Sequence, residues 1–322
     1  MDNITHSLTG LLLSRAGLNR LHKQSVWIMF LSANIPDCDA VSAFGGATNY
    51  FHYHRWITHA FAMVPVMAVV PLLLVRLAVG KAIDWKHGYL LSLIGVASHL
   101  TLDSTNEYGV RFLLPFSNAW MGLSITSVID VWIWVALLLG VIAPWLSGLV
   151  SSEIGAKPGR GRGAAIFALS LVLFYDGGRF FLRQRAIAVQ ETRLYEDETP
   201  RRVTAVPNRV NPLSWKGIVE TDRAFFIQQV NLASSFDPTA ARVFYKPDQV
   251  PAMDVARKQP VFVDLLRFSS FVLWRVLPAD EPPGASQVEA MDLRFANPPP
   301  PSFCARAIVD PSGRVVRAWY HY

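Results

Sequence analysis

Residues 122–150 read GLSITSVIDVWIWVALLLGVIAPWLSGLV. A helix crosses a bilayer with about 20 mostly apolar residues. This run is longer than that and holds one charged side chain, Asp130, near its start. Two further stretches compare with it, residues 56–79 from Trp56 to Val79 and residues 163–182 from Gly163 to Leu182. A fourth, residues 87–103, is shorter and ends in polar residues. Leu8–Leu18 and Val26–Ile35 are too short to span alone and are expected as half-buried helices packed on the others. Pro36 and Pro115 mark breaks, since the residue before a proline is pushed out of the helical region. The expected fold is an α-helical multi-pass membrane domain of about four to six helices, followed by a small β-rich soluble domain.

Composition sets the boundary between the two. The chain is 52% hydrophobic and 17% charged, against about a quarter charged in a soluble domain. The deficit lies in residues 1–185, the expected membrane-embedded domain. Residues 186–322 are rich in Pro, Arg and Asp, as a soluble domain is. Short runs separated by Pro, Gly, Asn and Asp predict strands at Val203–Val206, Gly217–Glu220, Ala224–Val230, Val261–Asp264, Phe271–Val276 and Arg314–Tyr320. Asp310-Pro311-Ser312-Gly313 predicts a hairpin turn. Pro298–Pro301 is expected extended, and residues 155–163 as a flexible basic loop.

The net charge is +6. Its basic residues flank apolar segments and form no single patch interleaved with aromatics, so they report membrane orientation, and no nucleic-acid partner is expected. The cysteines, Cys38 and Cys304, form no CxxC, which argues against a thiolate metal site. The N-terminus lacks the basic region of a cleaved signal peptide.

His and Asp are costly in apolar segments unless paired, and here they cluster. His6 opens the first apolar segment. Asp37 and Asp39 follow the second. His52, His54, Arg55 and His59 precede and open the third, His99 and Asp103 close the fourth, and Asp130 lies early in the fifth. With alternating segment directions all of these fall near one membrane face. His99 and Asp103 are four apart and project from one helical face. Asp37 and Asp39 are two apart on a Pro-broken loop and can point the same way. Imidazole and carboxylate suit zinc, manganese or iron without thiolate. The expected metal ligands are His6, Asp37, His59, His99 and Asp103. Asp39, His54 and Asp130 are expected as ligand, outer partner or general base. Arg55 has a fork that suits phosphate and equally suits pairing with an Asp of the cluster. His22, His87 and His321 lie apart and are read as ordinary polar residues.

Met1-Asp2-Asn3-Ile4-Thr5-His6, Asn34-Ile35-Pro36-Asp37-Cys38-Asp39, His54-Arg55-Trp56-Ile57-Thr58-His59 and Ser98-His99-Leu100-Thr101-Leu102-Asp103 resemble the bacterial membrane-bound metal-dependent hydrolases, the YdjM-like inner-membrane hydrolases. Tyr108–Phe116 and Ile129-Asp130 look like the same family. The resemblance covers residues 1–135; the tail resembles the extra domain of longer members. The order of His and Asp is also similar to the zinc-dependent phospholipase C and single-strand nuclease superfamily, which implies a multinuclear zinc site cutting phosphoester bonds. Ser104-Thr105-Asn106-Glu107 and Trp56 depart from the family pattern, which puts the fit of substrate in doubt rather than the ligands.

The resulting expectation is a membrane-bound metal-dependent hydrolase, an enzyme of the phosphoesterase class, with zinc as cofactor and the bilayer and a phosphoester or lipid-linked substrate as partners. It is expected in the bacterial inner membrane, with site and tail outside the cytoplasm. The rival readings are a transporter or ion-handling membrane protein and a non-catalytic membrane scaffold. An intramembrane metalloprotease is disfavoured by the lack of HExxH.

Overall fold

The computed structural model describes residues 1–80, 83–153, 161–296 and 303–321; Pro298–Pro301 and most of the 155–163 loop lie outside them. The chain divides into two compact units. The first is Met1–Ala40, Arg55–Leu182 and Pro207–Pro212; the second is Val41–His54, Arg183–Val206 and Leu213–Tyr322.

The helices in chain order are α1 (Asn3–Arg15), α2 (Ser25–Ser32), α3 (Ala47–Tyr53), α4 (Val64–Met67), α5 (Val69–Val79), α6 (Trp85–Thr105), α7 (Val131–Glu153) and α8 (Arg162–Glu191). Asp2 starts α1 by accepting the N–H groups of Ile4 and Thr5. Among the described residues three stretches are long and apolar enough to cross a membrane: Phe61–Val79, Val131–Leu149 and Arg162–Glu191. The two short N-terminal segments form α1 and α2, with 13 and 8 residues, well under the length of a span. Outward on the long helices stand Leu77, Trp145, Phe167, Leu173, Phe174 and Phe181, all well exposed. Water would penalise so much bare apolar surface, and lipid does not.

Two segments begin later as helices than their apolar composition predicts. Residues 122–130 are not helical: Leu123 and Ile125 donate to the Ser104 and Thr105 carbonyls at the end of α6, at 2.7 and 2.8 Å. Helix α7 starts only where the Asp130 carboxylate accepts the N–H groups of Trp132 and Ile133. Residues 57–63 form two tight 3₁₀ turns, and α4 then begins with Pro65 in its first turn.

One close approach fixes the centre of the first unit. A Cβ on Gly95 of α6 would stand 2.5 Å from the Ser32 Cβ of α2. Glycine there lets α2 lie directly on α6, with the Ser32 and Ser92 hydroxyls 2.7 Å apart. Ile28, Met29, Leu72, Val75 and Leu91 pack around the contact, while Leu12, Leu102, Ile133, Leu137, Ala168 and Val172 join α1, α6, α7 and α8.

In the second unit β1 (Arg202–Pro207), β2 (Ser214–Glu220), β3 (Ala224–Asn231) and β4 (Arg242–Tyr245) form one sheet in that order. After α9 (Pro251–Arg257) and α10 (Pro260–Phe268), β5 (Val272–Pro278), β6 (Ser286–Asp292), β7 (Cys304–Val309) and β8 (Val315–His321) form a second, antiparallel sheet. The expected strand at Val261–Asp264 is instead the start of α10. Its buried residues Val261, Phe262, Leu265 and Phe268 recur at helical spacing behind Pro260, and that period outweighs the β-branched composition. The sequence reading missed β4, β6 and β7. The turn at Asp310–Gly313 is present, with Gly313 N–H donating to the Asp310 carbonyl. Helix α3 belongs to this unit: Phe51 stacks on Tyr320 at 4.8 Å and meets Phe268 edge-on at 5.4 Å.

Candidate metal centre

Four side chains converge in the first unit. Asp37 lies in the 3₁₀ stretch after α2, His59 ends the turn Ile57–His59, and His99 and Asp103 stand one turn apart on α6. One ligand atom from each lies within 4.8 Å of the others. His59 Nε2 is 3.2 Å from His99 Nε2, 3.5 Å from Asp37 Oδ1 and 3.4 Å from Asp103 Oδ2. His99 Nε2 is 3.6 Å from Asp37 Oδ1 and 3.5 Å from Asp103 Oδ2. A tetrahedral ion with bonds of about 2.0–2.2 Å has ligand-to-ligand edges of about 3.3–3.6 Å, so these separations fit.

The hydrogen bonds around the cluster fix which ring atoms carry protons. His99 Nδ1 lies 2.7 Å from the Ala33 carbonyl, which only accepts, so Nδ1 bears the hydrogen and Nε2 presents a lone pair. Thr58 donates its hydroxyl to Asp39 Oδ2 at 3.0 Å, and His59 Nδ1 lies 3.2 Å from that same oxygen. The His59 proton is thereby placed on Nδ1, and its Nε2 also presents a lone pair. Asp103 Oδ2 receives no hydrogen bond among the described residues. Two imidazole lone pairs and two carboxylate oxygens thus face one point with no proton between them. Such a set repels itself unless a cation fills it, and the donors suit zinc or a similar divalent ion. The outward bonds to Asp39 and Ala33 are the orienting partners that metal-bound histidines use.

Arg55 is nearly buried and bridges the outer layer. It donates from Nη2 to Asp103 Oδ1 at 2.9 Å, and from Nη1 to the Gly109 carbonyl at 2.8 Å and Asn106 Oδ1 at 3.2 Å. Its backbone N–H donates to Asp39 Oδ2 at 2.8 Å, and its φ of 51° lies in the left-handed region. The Met1 amine also pairs with Asp103 Oδ1. Burial pushes the Asp37 carboxyl up, but the hydrogen bond with His59 and the positive charge of Arg55 are among the effects that outweigh it and hold it at about 2.

The other expected site residues fall in different places. His6 is fully buried; its ring stacks on His99 at 3.8 Å, and Nε2 lies 3.3 Å from Asp103 Oδ1. It borders the cluster on the other oxygen of Asp103, outside the group of four. Asp39 orients His59. His54 lies in the second unit, stacked on Tyr50 at 4.7 Å, with its N–H closing α3. Asp130 caps α7 and accepts the Tyr175 hydroxyl at 3.1 Å, so the structure gives it a role in the helix pair. Sequence reasoning missed Ala33, Thr58 and Asn106. Only Asn106 left a trace, three residues beyond Asp103 in the stretch that departs from the family pattern.

The family model for the YdjM inner membrane protein matches residues 1–186, which include every residue of this cluster. The chain belongs to the YdjM inner membrane protein family. Outside the family model, it is similar to the Bacillus subtilis (strain 168) protein named "Uncharacterized protein YfhP", 24% identical over 310 residues that cover 92% of this chain and 87% of that one. That likeness extends beyond the YdjM-matched residues into the tail. No solved structure matches.

Proposed function

We propose that this YdjM-family chain is a membrane-bound metal-dependent hydrolase that cleaves a phosphoester, with lipid-linked phosphoesters as the substrate class. The observation that carries the reading is the meeting of four lone-pair atoms from Asp37, His59, His99 and Asp103, with both histidine protons drawn outward. Zinc held there would acidify a bound water and polarise a phosphoryl oxygen. The chain's own residues do the rest. Asp39 and the Ala33 carbonyl hold the two imidazoles in one orientation. Arg55 holds Asp103 and places a fixed positive charge beside the centre, where an anionic ester gains from it. Asp37 is the least buried of the four, with 12% of its side chain exposed against none for the other three, so substrate reaches the centre from its side. Apolar spans on the same unit keep that centre beside lipid. The His and Asp order that resembles the phospholipase C and nuclease superfamily supports phosphoester chemistry.

The test is metal analysis and hydrolysis of nitrophenyl phosphate mono- and diesters by detergent-purified protein, beside the His99→Ala/Asp103→Ala double variant. About one or more zinc ions per chain in the wild type, near none in the variant, and ester hydrolysis abolished by chelation are expected. Metal-free wild type ends the metal reading. Tightly held metal without hydrolysis of either ester class favours an ion-handling role instead.

A further inference from the structure

The apolar stretch Phe61–Val79 ends at Gly80, whose φ of 66° closes α5 in the left-handed form that glycine adopts freely. The chain becomes helical again after Asp84, whose carboxylate accepts the His87 N–H at 3.3 Å and starts α6. Beside this turn lies the connection from α1 to α2. Together they enclose a cavity of about 410 Å³, and every residue that lines it belongs to the first unit. The cavity stands at the start of α6. His99 and Asp103 lie about 22–28 Å further along that helix at the rise of an α-helix, so the cavity is separate from the metal centre.

Leu21, Val79 and Ile83 give the cavity an apolar wall, and His22, Lys23 and Gln24 give it donors at the start of α2. His22 is 9% exposed, and a Cβ on Gly88 of α6 would stand 3.9 Å from its Cδ2. Its Nδ1 accepts the Gln24 N–H at 2.9 Å. That nitrogen therefore holds a lone pair, and the ring proton sits on Nε2. No group among the described residues accepts the Nε2 proton, so a buried donor lines the cavity unmet. Helix α2 begins here with no side chain capping its first N–H groups, which leaves the positive end of its dipole at the same wall. Lys23 adds a full charge. Asp84, the acid of the lining, is engaged by the His87 ring, whose Nδ1 lies 2.5 Å from Oδ2.

These donors suit an anion, and the level of the cavity says which. Lipid phosphates lie where a spanning stretch ends, and Val79 is such an end. Trp27 and Trp85, both exposed in the first turns of α2 and α6, are side chains that favour the membrane boundary. A basic pocket between membrane helices suits an anionic head group. We propose that this cavity binds the phosphate of an anionic glycerophospholipid. His22 Nε2, Lys23 and the N-terminus of α2 hold the phosphate, and Leu21, Val79 and Ile83 take the glycerol and the first chain carbons. The bound lipid ties the α1–α2 connection to the turn between α5 and α6. The site goes beyond the hydrolase reading and needs no metal.

The full chain in nonionic detergent is titrated with short-chain phosphatidylglycerol and followed by native mass spectrometry, beside Lys23→Ala, His22→Phe and Arg15→Ala. Phenylalanine keeps a ring beside Gly88 and removes the Nε2 donor. Lys23 is exposed, so Lys23→Ala serves where His22→Phe does not fold. Arg15 ends α1 and does not line the cavity. The wild type is expected to retain the lipid, with affinity lower by about fivefold in Lys23→Ala and about three- to tenfold in His22→Phe, and unchanged in Arg15→Ala. Wild-type affinity in folded Lys23→Ala or His22→Phe overturns the proposal. So does an equal loss in Arg15→Ala, which assigns the binding to general surface charge. Glycerol phosphate, the head group without chains, is titrated as a second arm and is expected to bind far more weakly. Glycerol phosphate bound as tightly as the lipid overturns the lipid as the occupant.

Discussion

The Nε2 atoms of His59 and His99 stand 3.2 Å apart, while their Nδ1 atoms face away from each other, that of His59 3.2 Å from Asp39 Oδ2 and 3.0 Å from the Thr58 hydroxyl, that of His99 2.7 Å from the Ala33 carbonyl. In the metal reading proposed above, both Nε2 lone pairs face one cation. Asp39 is then the residue that sets the His59 proton. Asp39→Ala frees that proton to move to Nε2, where it competes with metal. Metal affinity is expected to drop by about 10- to 100-fold, read by chelator competition on folded protein. An affinity equal to the wild type would remove Asp39 from the centre's support.

Arg55 connects Asp103, Asn106 and the Gly109 carbonyl through two nitrogens of one guanidinium. Lysine keeps the charge but cannot reach three acceptors in one plane. Arg55→Lys leaves buried acceptors unmet, at about 1–3 kcal/mol, so a fall in thermal midpoint of several degrees is expected together with weaker metal binding. A wild-type midpoint with lost turnover would instead assign the guanidinium to the substrate's charge.

The convergence of the four side chains was legible in sequence because they stand at the ends of apolar segments, where a polar side chain is conspicuous. Asp37, His59, His99 and Asp103 could be assembled from segment direction alone. His6 obeyed the same rule, yet it stacks on His99, because ring orientation depends on packing that segment direction does not specify. Asp130 likewise satisfied the pattern, and Tyr175 on α8 takes its carboxylate. The partners Ala33 and Thr58 act through a backbone carbonyl and a common hydroxyl, which carry no signal in sequence. In the tail, alternation revealed β1, β2, β3, β5 and β8. It failed at α10, where a β-branched run hid a helical period, and at β6, whose buried Glu289 pairs with Arg306 at 2.9 Å and breaks the apolar pattern.

Asp37 supplies a pH signature. Its carboxyl is held at about 2 against an ordinary 3.8. A lowered folded value means stability that is fully present above the unfolded value and lost as pH falls through the folded one. A shift of that size is worth about 2 kcal/mol, with little screening for a side chain so buried. In chelator-treated protein, the thermal midpoint of the wild type should exceed that of Asp37→Asn near pH 5. The gap should close as pH falls from about 4 to about 2. A gap that stays constant over this window would show that the cluster does not hold Asp37 ionised.

Orientation follows from the short loops. On the side away from the centre stand Arg15, Arg20, Lys23, Arg76, Lys86 and Arg162; Lys81, Lys157 and Arg160 belong to the same loops but lie outside the described residues. Asp84 and Glu153 are the acids there. Lys and Arg gather in cytoplasmic loops, so the expected placement of the centre, and of the tail that follows α8, is outside the cytoplasm. Arg179, Arg183 and Arg185 near the outer end of α8 count against this, but two of them have structural duties. Arg179 donates to the Ile125 and Pro212 carbonyls at 2.9 and 2.5 Å, and Arg183 donates to the Ala205 carbonyl and the Thr204 hydroxyl at 3.3 and 3.1 Å. A guanidinium so held answers to the fold rather than to the membrane potential; Arg162, held by the Ala16 carbonyl at 2.9 Å, is set aside on the same ground, and Arg15, Arg20, Lys23, Arg76 and Lys86 still outnumber Arg185. Fusions at the C-terminus decide it: alkaline phosphatase is expected active and a cytoplasmic fluorescent protein dark. The reverse pattern would place the metal centre on the cytoplasmic face and exclude extracytoplasmic phosphoesters as its substrates.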